Sequence, residues 1–330
     1  MKKNKHLLIL FFIFILFNTC ETDFDINADW KDITVVYGLL NQNDSVHYVK
    51  ITKAFLGESN ALVMAQNPDY SNYGTSLEVR VEEWENQVYN RTFSLDTTTI
   101  TNKEPGTFYY PNQIVYKFNG NLNEDCEYKL TIKNTLTNKI ITSNTNLVHN
   151  FSIEQPYYNP ANPVIGFTGT LPKPIKWNSA PNGRRYQLLI RFHYTETNTN
   201  TSNSTELYVD WLIGTEKSSK LDGGEEMSTE IINKGFFETL HNKIPVNYDV
   251  TRIAGMVDFI FTVAGDDLNT YMEVNEPSNS IVQERPEYTN INNGIGIFSC
   301  RYEVIRSFYL NANSREELRN GEYTCNLMFD

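Results

Sequence analysis

The groups in this 330-residue chain that could do chemistry are four cysteines, five histidines and a scatter of carboxylates. The histidines stand at positions 6, 47, 149, 193 and 241, and no two are spaced as an H-x-x-x-H pair, so the sequence builds no zinc site. Glu82 and Glu83 are adjacent, as are Asp266 and Asp267. Glycoside hydrolysis needs two carboxyls about 5 to 9 Å apart across a cleft. Neighbours on a strand point to opposite faces, and the aspartates read better as the start of a helix. There is no G-x-S-x-G elbow for a nucleophilic serine. The "GIGIF" stretch (294–298) lacks dinucleotide-loop spacing, and its glycines suit a bulge or a close backbone approach. "DFDINADW" (23–30) has Ala28 where a calcium loop needs glycine. No catalytic residue, metal or cofactor is expected. Exposed aromatics that could stack on a sugar or peptide are Tyr109, Tyr110, Tyr157, Tyr158 and Trp211.

The cysteines are Cys20, Cys126, Cys300 and Cys325. Cys20 ends a distinctive segment. Lys2, Lys3 and Lys5 form a basic start, and the apolar run from Leu7 to Phe17 follows. That run is too short for a bilayer-spanning helix, which needs about 20 apolar residues, and fits the apolar core of an export signal. The residues before Cys20 are not the small ones of an ordinary secretory cleavage site. The segment instead resembles a bacterial lipoprotein signal, in which Cys20 becomes the acylated N-terminus. Each buried CH₂ contributes about 0.8 kcal/mol, and two or more chains hold a protein on a membrane stably. Glu21, Asp23 and Asp25 behind it resemble the acidic signal that sends lipoproteins to the outer surface in Bacteroidota. With Cys20 set apart, three thiols remain, so at least one is free. Cys300 and Cys325 are a candidate disulfide, worth about 3 kcal/mol in the chain-entropy model.

The formal charge is −12, and it becomes more negative once Lys2, Lys3 and Lys5 leave with the signal. Such a chain repels phosphate backbones, and no basic stretch with interleaved aromatics offsets this, so nucleic acid is not an expected partner.

The elements that must hold these residues are mostly strands. Tyr, Phe, Thr, Val and Ile are abundant and fit pleated surfaces. "ITVVYGLL" (33–40) and "SVHYVKITKAF" (45–55) flank the turn "NQND" and predict a hairpin, with Val49 and Ile51 alternating against Lys50 and Thr52. In "LEVRVEEW" (77–84), Leu77, Val79 and Val81 face one way and Glu78, Arg80 and Glu82 the other. "QVYNRTFSL" (87–95), "NQIVYKF" (112–118), "EYKLTIKN" (127–134) and "KIITSNTNLV" (139–148) continue the pattern. About seven short strands in this span predict an immunoglobulin-like β-sandwich over residues 32–150, behind an acidic tether at 20–31. A boundary is expected near "SIEQPYYNPANP" (152–163). Residues 151–330 read as a second β-rich domain with a few short helices. Trp177 ahead of the strand led by Tyr186 loosely resembles half of a fibronectin-type-III sandwich. Ile232, Phe236, Leu240 and Ile244 recur every four residues and predict a helix in 228–244, capped by Ser228 or Thr229. Further short helices are expected at 61–66, 266–275 and 314–320. Strands are expected at 255–265, 294–310 and 322–330.

Four features together resemble uncharacterised Bacteroidota outer-membrane and surface lipoproteins grouped as a domain of unknown function. They are Cys20 with its acids, the "ITVVYGLL" hairpin, the "EYKLTIKN" strand and "NINNGIGIFSCR" (290–301). The resemblance implies a protein anchored in the cell envelope through Cys20, binding or scaffolding at the outer membrane, beside an outer-membrane transporter or against a surface glycan or peptide. It transfers no catalytic residue. A lipid-anchored hydrolase of polysaccharide or peptide, and an adhesin or surface-fibre subunit, are the alternatives.

Overall fold

The computed structural model describes residues 33–54, 60–276 and 287–330. Cys20, Glu21, Asp23 and Asp25 lie outside the described residues.

The chain folds as a mainly β protein with short helices. In the first half, β1 (Thr34–Leu40), β2 (Val46–Lys53), β6 (Gln113–Asn119) and β5 (Asp96–Ile100) lie side by side in the order β1-β2-β6-β5. A second sheet has the order β4-β3-β7-β8, from β3 (Leu77–Glu85), β4 (Val88–Ser94), β7 (Glu127–Asn134) and β8 (Ile140–Asn146). Alternation decides which face packs. Val36, Val49, Ile51 and Phe118 are buried from one sheet, and Val79, Val81, Tyr128, Leu130 and Ile132 from the other. Phe93 on β4 meets Phe118 on β6 with ring centroids 4.7 Å apart. This is the sandwich expected from period-2 patterning.

The second half repeats the plan on longer strands. A sheet ordered β13-β12-β15-β16 is built from β12 (Arg185–Asn198), β13 (Ser204–Lys217), β15 (Val250–Ala264) and β16 (Gly294–Leu310). Facing it is β14-β11-β9, from β9 (Ile153–Gln155), β11 (Lys173–Asn178) and β14 (Glu226–Ile231). Trp177 on β11 packs on Tyr186 and Phe261 of the long sheet, at 6.0 and 5.5 Å. The two-residue strand β10 (Val164–Ile165) pairs with the end of β16.

Each half carries a tyrosine that ties its strand back to the preceding turn. The Tyr128 hydroxyl accepts the Asn123 N–H at 2.7 Å and donates to Glu83 at 2.8 Å. The Tyr186 hydroxyl accepts the Ala180 N–H at 2.6 Å. Both follow the tyrosine-corner geometry of immunoglobulin-like sandwiches. Both rings are fully buried, so removing either hydroxyl's partner would leave a polar atom costing about 1–3 kcal/mol. Glu83 is itself buried and takes two charge-assisted bonds from Arg91, at 3.0 and 2.7 Å. Glu82 faces outward to Arg80, so the adjacent carboxylates point to opposite faces.

The halves are joined through one sheet. β1 runs parallel to β16 from Thr34↔Gly294 to Leu40↔Cys300, so hydrogen bonds cross the boundary expected near residue 152. Gly296 makes the approach possible. It sits at φ +111°, and a Cβ there would lie 2.0 Å from the Val36 carbonyl oxygen. Only glycine adopts that conformation at that distance.

Three expectations change. Residues 226–231 form β14 against β11, because Met227 and Ile231 are buried there, so the helix is Asn233–Lys243. Neither Ser228 nor Thr229 caps it; Phe236 and Leu240 still bury, while Ile232 is exposed. Residues 322–330 form turns rather than a strand. They are held by the fully buried Arg252, which donates to the Leu327 carbonyl at 2.6 Å, to Pro245 at 3.0 Å and to Glu196 at 2.9 Å. Cys126, Cys300 and Cys325 are all free thiols, so Cys300 and Cys325 form no disulfide. Cys300 packs under Gly265 at the end of β15, whereas the turns holding Cys325 dock on Arg252 near its start. Twelve strand positions separate those ends, about 40 Å at ~3.3 Å per residue, far beyond disulfide reach. The helices Ala61–Ala65, Asp266–Asn275 and Ala312–Asn320 form near the expected spans 61–66, 266–275 and 314–320.

Candidate binding cleft

On β1 and β2, residues facing away from the core are Val35, Tyr37, Lys50 and Thr52, paired Tyr37↔Lys50 and Val35↔Thr52 across the strands. In an ordinary sandwich this face is wet. Here two segments cover it. The helices Ala61–Ala65 and Pro68–Ser71 bring Met64 and Ala65 into buried positions. Asn60 and Asn67 cap them, their side chains accepting from the N–H groups of Leu62 and Asp69. The connection between β5 and β6 folds against the first helix, the Tyr109 N–H donating to the Ala65 carbonyl at 2.9 Å. Lys103 braces this connection, its ammonium donating to the Tyr109 carbonyl at 2.6 Å and its N–H to Pro111 at 3.0 Å.

Between cover and sheet is a cleft of about 550 Å³, within the range of small-molecule sites. Three cations line it, Lys50, Lys53 and Lys103, with Lys50 on the outer face of β2 and the Lys53 ammonium over Tyr73 at its rim. Its aromatic walls are Tyr37, Phe108 and Tyr109, with Thr52, Ser71, Asn72, Asn112 and Gln113 adding hydroxyls and amides. Among the described residues the lining holds no carboxylate, and none of the three lysines has an ion pair. Burial, and then the nearby Lys103 charge, lower the pKa of Lys50. Lys53 lies 6.0 Å from the Tyr73 ring and Lys103 5.9 Å from the Phe108 ring, so both also rest against aromatic faces. Tyr37 meets Tyr271, from the helix Asp266–Asn275, edge-on at 6.2 Å, which ties the cleft wall to the second half.

The aromatics singled out on sequence separate in space. Tyr109 lines the cleft and Tyr110, its neighbour, is exposed outside the lining. Tyr157 stands 79% exposed on the second half, while Tyr158 packs edge-on against Phe308 with Arg306 over its ring. Trp211 lies against Phe236 and Gly235, lining a separate cleft of about 260 Å³ with Lys234 and Glu238. The lysines carried no motif. Strand alternation in the hairpin was the one signal that put Lys50 on the outer face.

A third cleft, about 420 Å³, contains His193, Asp258 and Ser307. His193 Nε2 lies 2.8 Å from Asp258, and Ser307 is the cross-strand neighbour of the same aspartate. Asp258 therefore stands between serine and imidazole. A nucleophilic triad needs the imidazole in the middle. Among the described residues no group of His, Cys, Asp and Glu has the geometry to hold a metal, and no helix is long and apolar enough to cross a membrane.

Searches against protein-family models and curated proteins return no match to this chain.

Proposed function

We propose that this chain is a non-enzymatic, lipid-anchored protein of the outer membrane that binds a ligand at the cell surface in support of nutrient uptake. The observation that carries the binding role is the covered cleft on β1 and β2. Three lysines without described carboxylate partners line it beside three aromatic walls. Uncompensated charge on a half-buried surface costs stability, and in a binding protein the ligand offsets that cost. The anchor rests on Cys20, its apolar leader and the acids behind it. The soluble, acidic body suits exposure to the outer medium.

Native mass spectrometry of the chain purified in detergent from its own envelope tests the reading. A retained small molecule or transporter partner, lost when Tyr109→Ala and Lys103→Gln are combined, is the expected result. A bare chain, with no ligand or partner recovered under any mild extraction, would overturn it.

A further inference from the structure

The cleft's chemistry narrows what it takes. The chain as a whole is acidic, with 28 basic residues against 40 acidic ones, yet the charged residues that line this cleft, among the described residues, are all cations. Lys50, Lys53 and Lys103 come from two separate parts of the chain, β2 and the connection after β5, and all three line one space, Lys50 from the outer face of β2. Like charges grouped this way repel one another, and the Lys103 charge adds to burial in lowering the pKa of Lys50. An anion relieves both the repulsion and the desolvation, and charge-assisted bonds to it are the strong kind.

The rest of the lining speaks against a peptide as the occupant. Peptides are commonly captured by adding a strand to an open sheet edge. The floor here is the face of β1 and β2. Both strands are already paired on their two sides, to β16 and β2 and to β1 and β6. No backbone ladder is on offer. Thr52, Ser71, Asn72, Asn112 and Gln113 supply short hydroxyl and amide partners instead, and Tyr37, Phe108 and Tyr109 supply flat apolar faces. Flat faces, scattered hydrogen-bonding groups and point charges match a ring that bears hydroxyls on its edge and an acid as a substituent. Lysine, unlike arginine, imposes no planar fork, so carboxylate and sulfate fit equally.

We propose that this cleft binds an acidic sugar of about one or two rings, with Lys50 and Lys103 on its carboxylate or sulfate and Tyr109 and Phe108 against the ring. The assignment rests on the binding reading above and names the ligand class for the same cleft.

Isothermal titration of the mature lipidated chain in detergent micelles tests it, using digalacturonate, a sulfated disaccharide, an uncharged digalactose, inorganic sulfate and tetraglutamate as probes. An acidic disaccharide should bind at least about tenfold tighter than digalactose, a difference equivalent to about 1.4 kcal/mol. Affinity should fall with added salt. Lys50→Gln with Lys103→Gln should weaken it at least tenfold, Lys50→Arg with Lys103→Arg should largely keep it, and Lys129→Gln on β7 should leave it unchanged. Thermal unfolding of each variant checks that the fold is kept. Inorganic sulfate binding as tightly as the acidic sugars would overturn the sugar, and tetraglutamate binding tighter would replace it with a peptide. Digalactose binding equally well, and lost in Tyr109→Ala, would overturn the acid while leaving a binding cleft. No binding by any probe would overturn the proposal, and ligand recovered from the envelope protein would then still uphold the binding role.

Discussion

Cys300 shows how a single residue's surroundings set its chemistry. Its thiol is buried beneath Gly265, and burial pushes its pKa up to about 11. Cys126 is also buried and raised, first by desolvation and then by Glu83. Cys325 is exposed. A thiolate-selective reagent at pH 7.5 should therefore label Cys325 within minutes and leave Cys126 and Cys300 untouched until the chain is unfolded, as counted by intact mass. The same count without reductant checks that Cys300 and Cys325 are unpaired. His47 makes a second prediction. It is buried, stacks on Phe118 at 4.8 Å, and its Nε2 donates to the Gly120 carbonyl at 2.9 Å. Desolvation lowers its pKa below the ordinary 6.5. The unfolded chain then binds the extra proton first. The contribution of His47 is intact above about pH 6.5 and is lost as pH falls below it. The urea midpoint should drop between pH 7 and pH 5, and His47→Gln should flatten that drop.

At the scale of elements, most strands were legible because period-2 alternation survives wherever one face is buried. Residues 127–134 and 294–310 form strands with the very bounds their patterns predict. Elements that failed did so where tertiary contacts compete with local pattern. Residues 228–231 read as helix because Ile232, Phe236, Leu240 and Ile244 share a helical stripe, but Met227 and Ile231 bury better in β14 against β11. Residues 322–330 look like a strand, yet Arg252 takes their carbonyl groups into a turn. The candidate cleft was half legible. Alternation put Lys50 and Thr52 on the outer face of a hairpin, and Tyr109 stood out as a candidate aromatic. That the β5–β6 connection folds back over that face depends on the Tyr109–Ala65 backbone bond, which no local pattern encodes. Gly296 tests the junction between the halves. Gly296→Ala meets both a forbidden φ and the Val36 carbonyl, and should cost about 3 kcal/mol or more, measured by chemical unfolding. Gly106, whose Cβ would meet nothing, is the matched control and should stay within about 0.5 kcal/mol.

Across the whole molecule, one sheet continues from β13 through β16 into β1 and on to β5. Two sandwiches that share a sheet in this way have no soft linker between them. Thermal unfolding should show one transition, with fluorescence from Trp84 in the first half and Trp177 in the second coinciding in single-tryptophan variants. Two separated transitions would mean that the β1–β16 pairing adds little. The shared sheet also bears on the proposed function. The wall residue Tyr37 sits on β1, directly beside Ile297 of β16, and touches Tyr271 from the second half, so both halves hold the cleft in shape. A rigid cleft spends less of its binding energy on ordering itself.

Membrane attachment through Cys20 would place this cleft at the cell surface. Mass spectrometry of the N-terminal peptide from protein isolated from the native envelope measures it most directly. The expected first residue is Cys20 carrying acyl chains, with all of residues 1–19 gone and the Cys20→Ala variant released from the membrane fraction. A mature chain that keeps residues ahead of Cys20, or begins there without acylation, would contradict it.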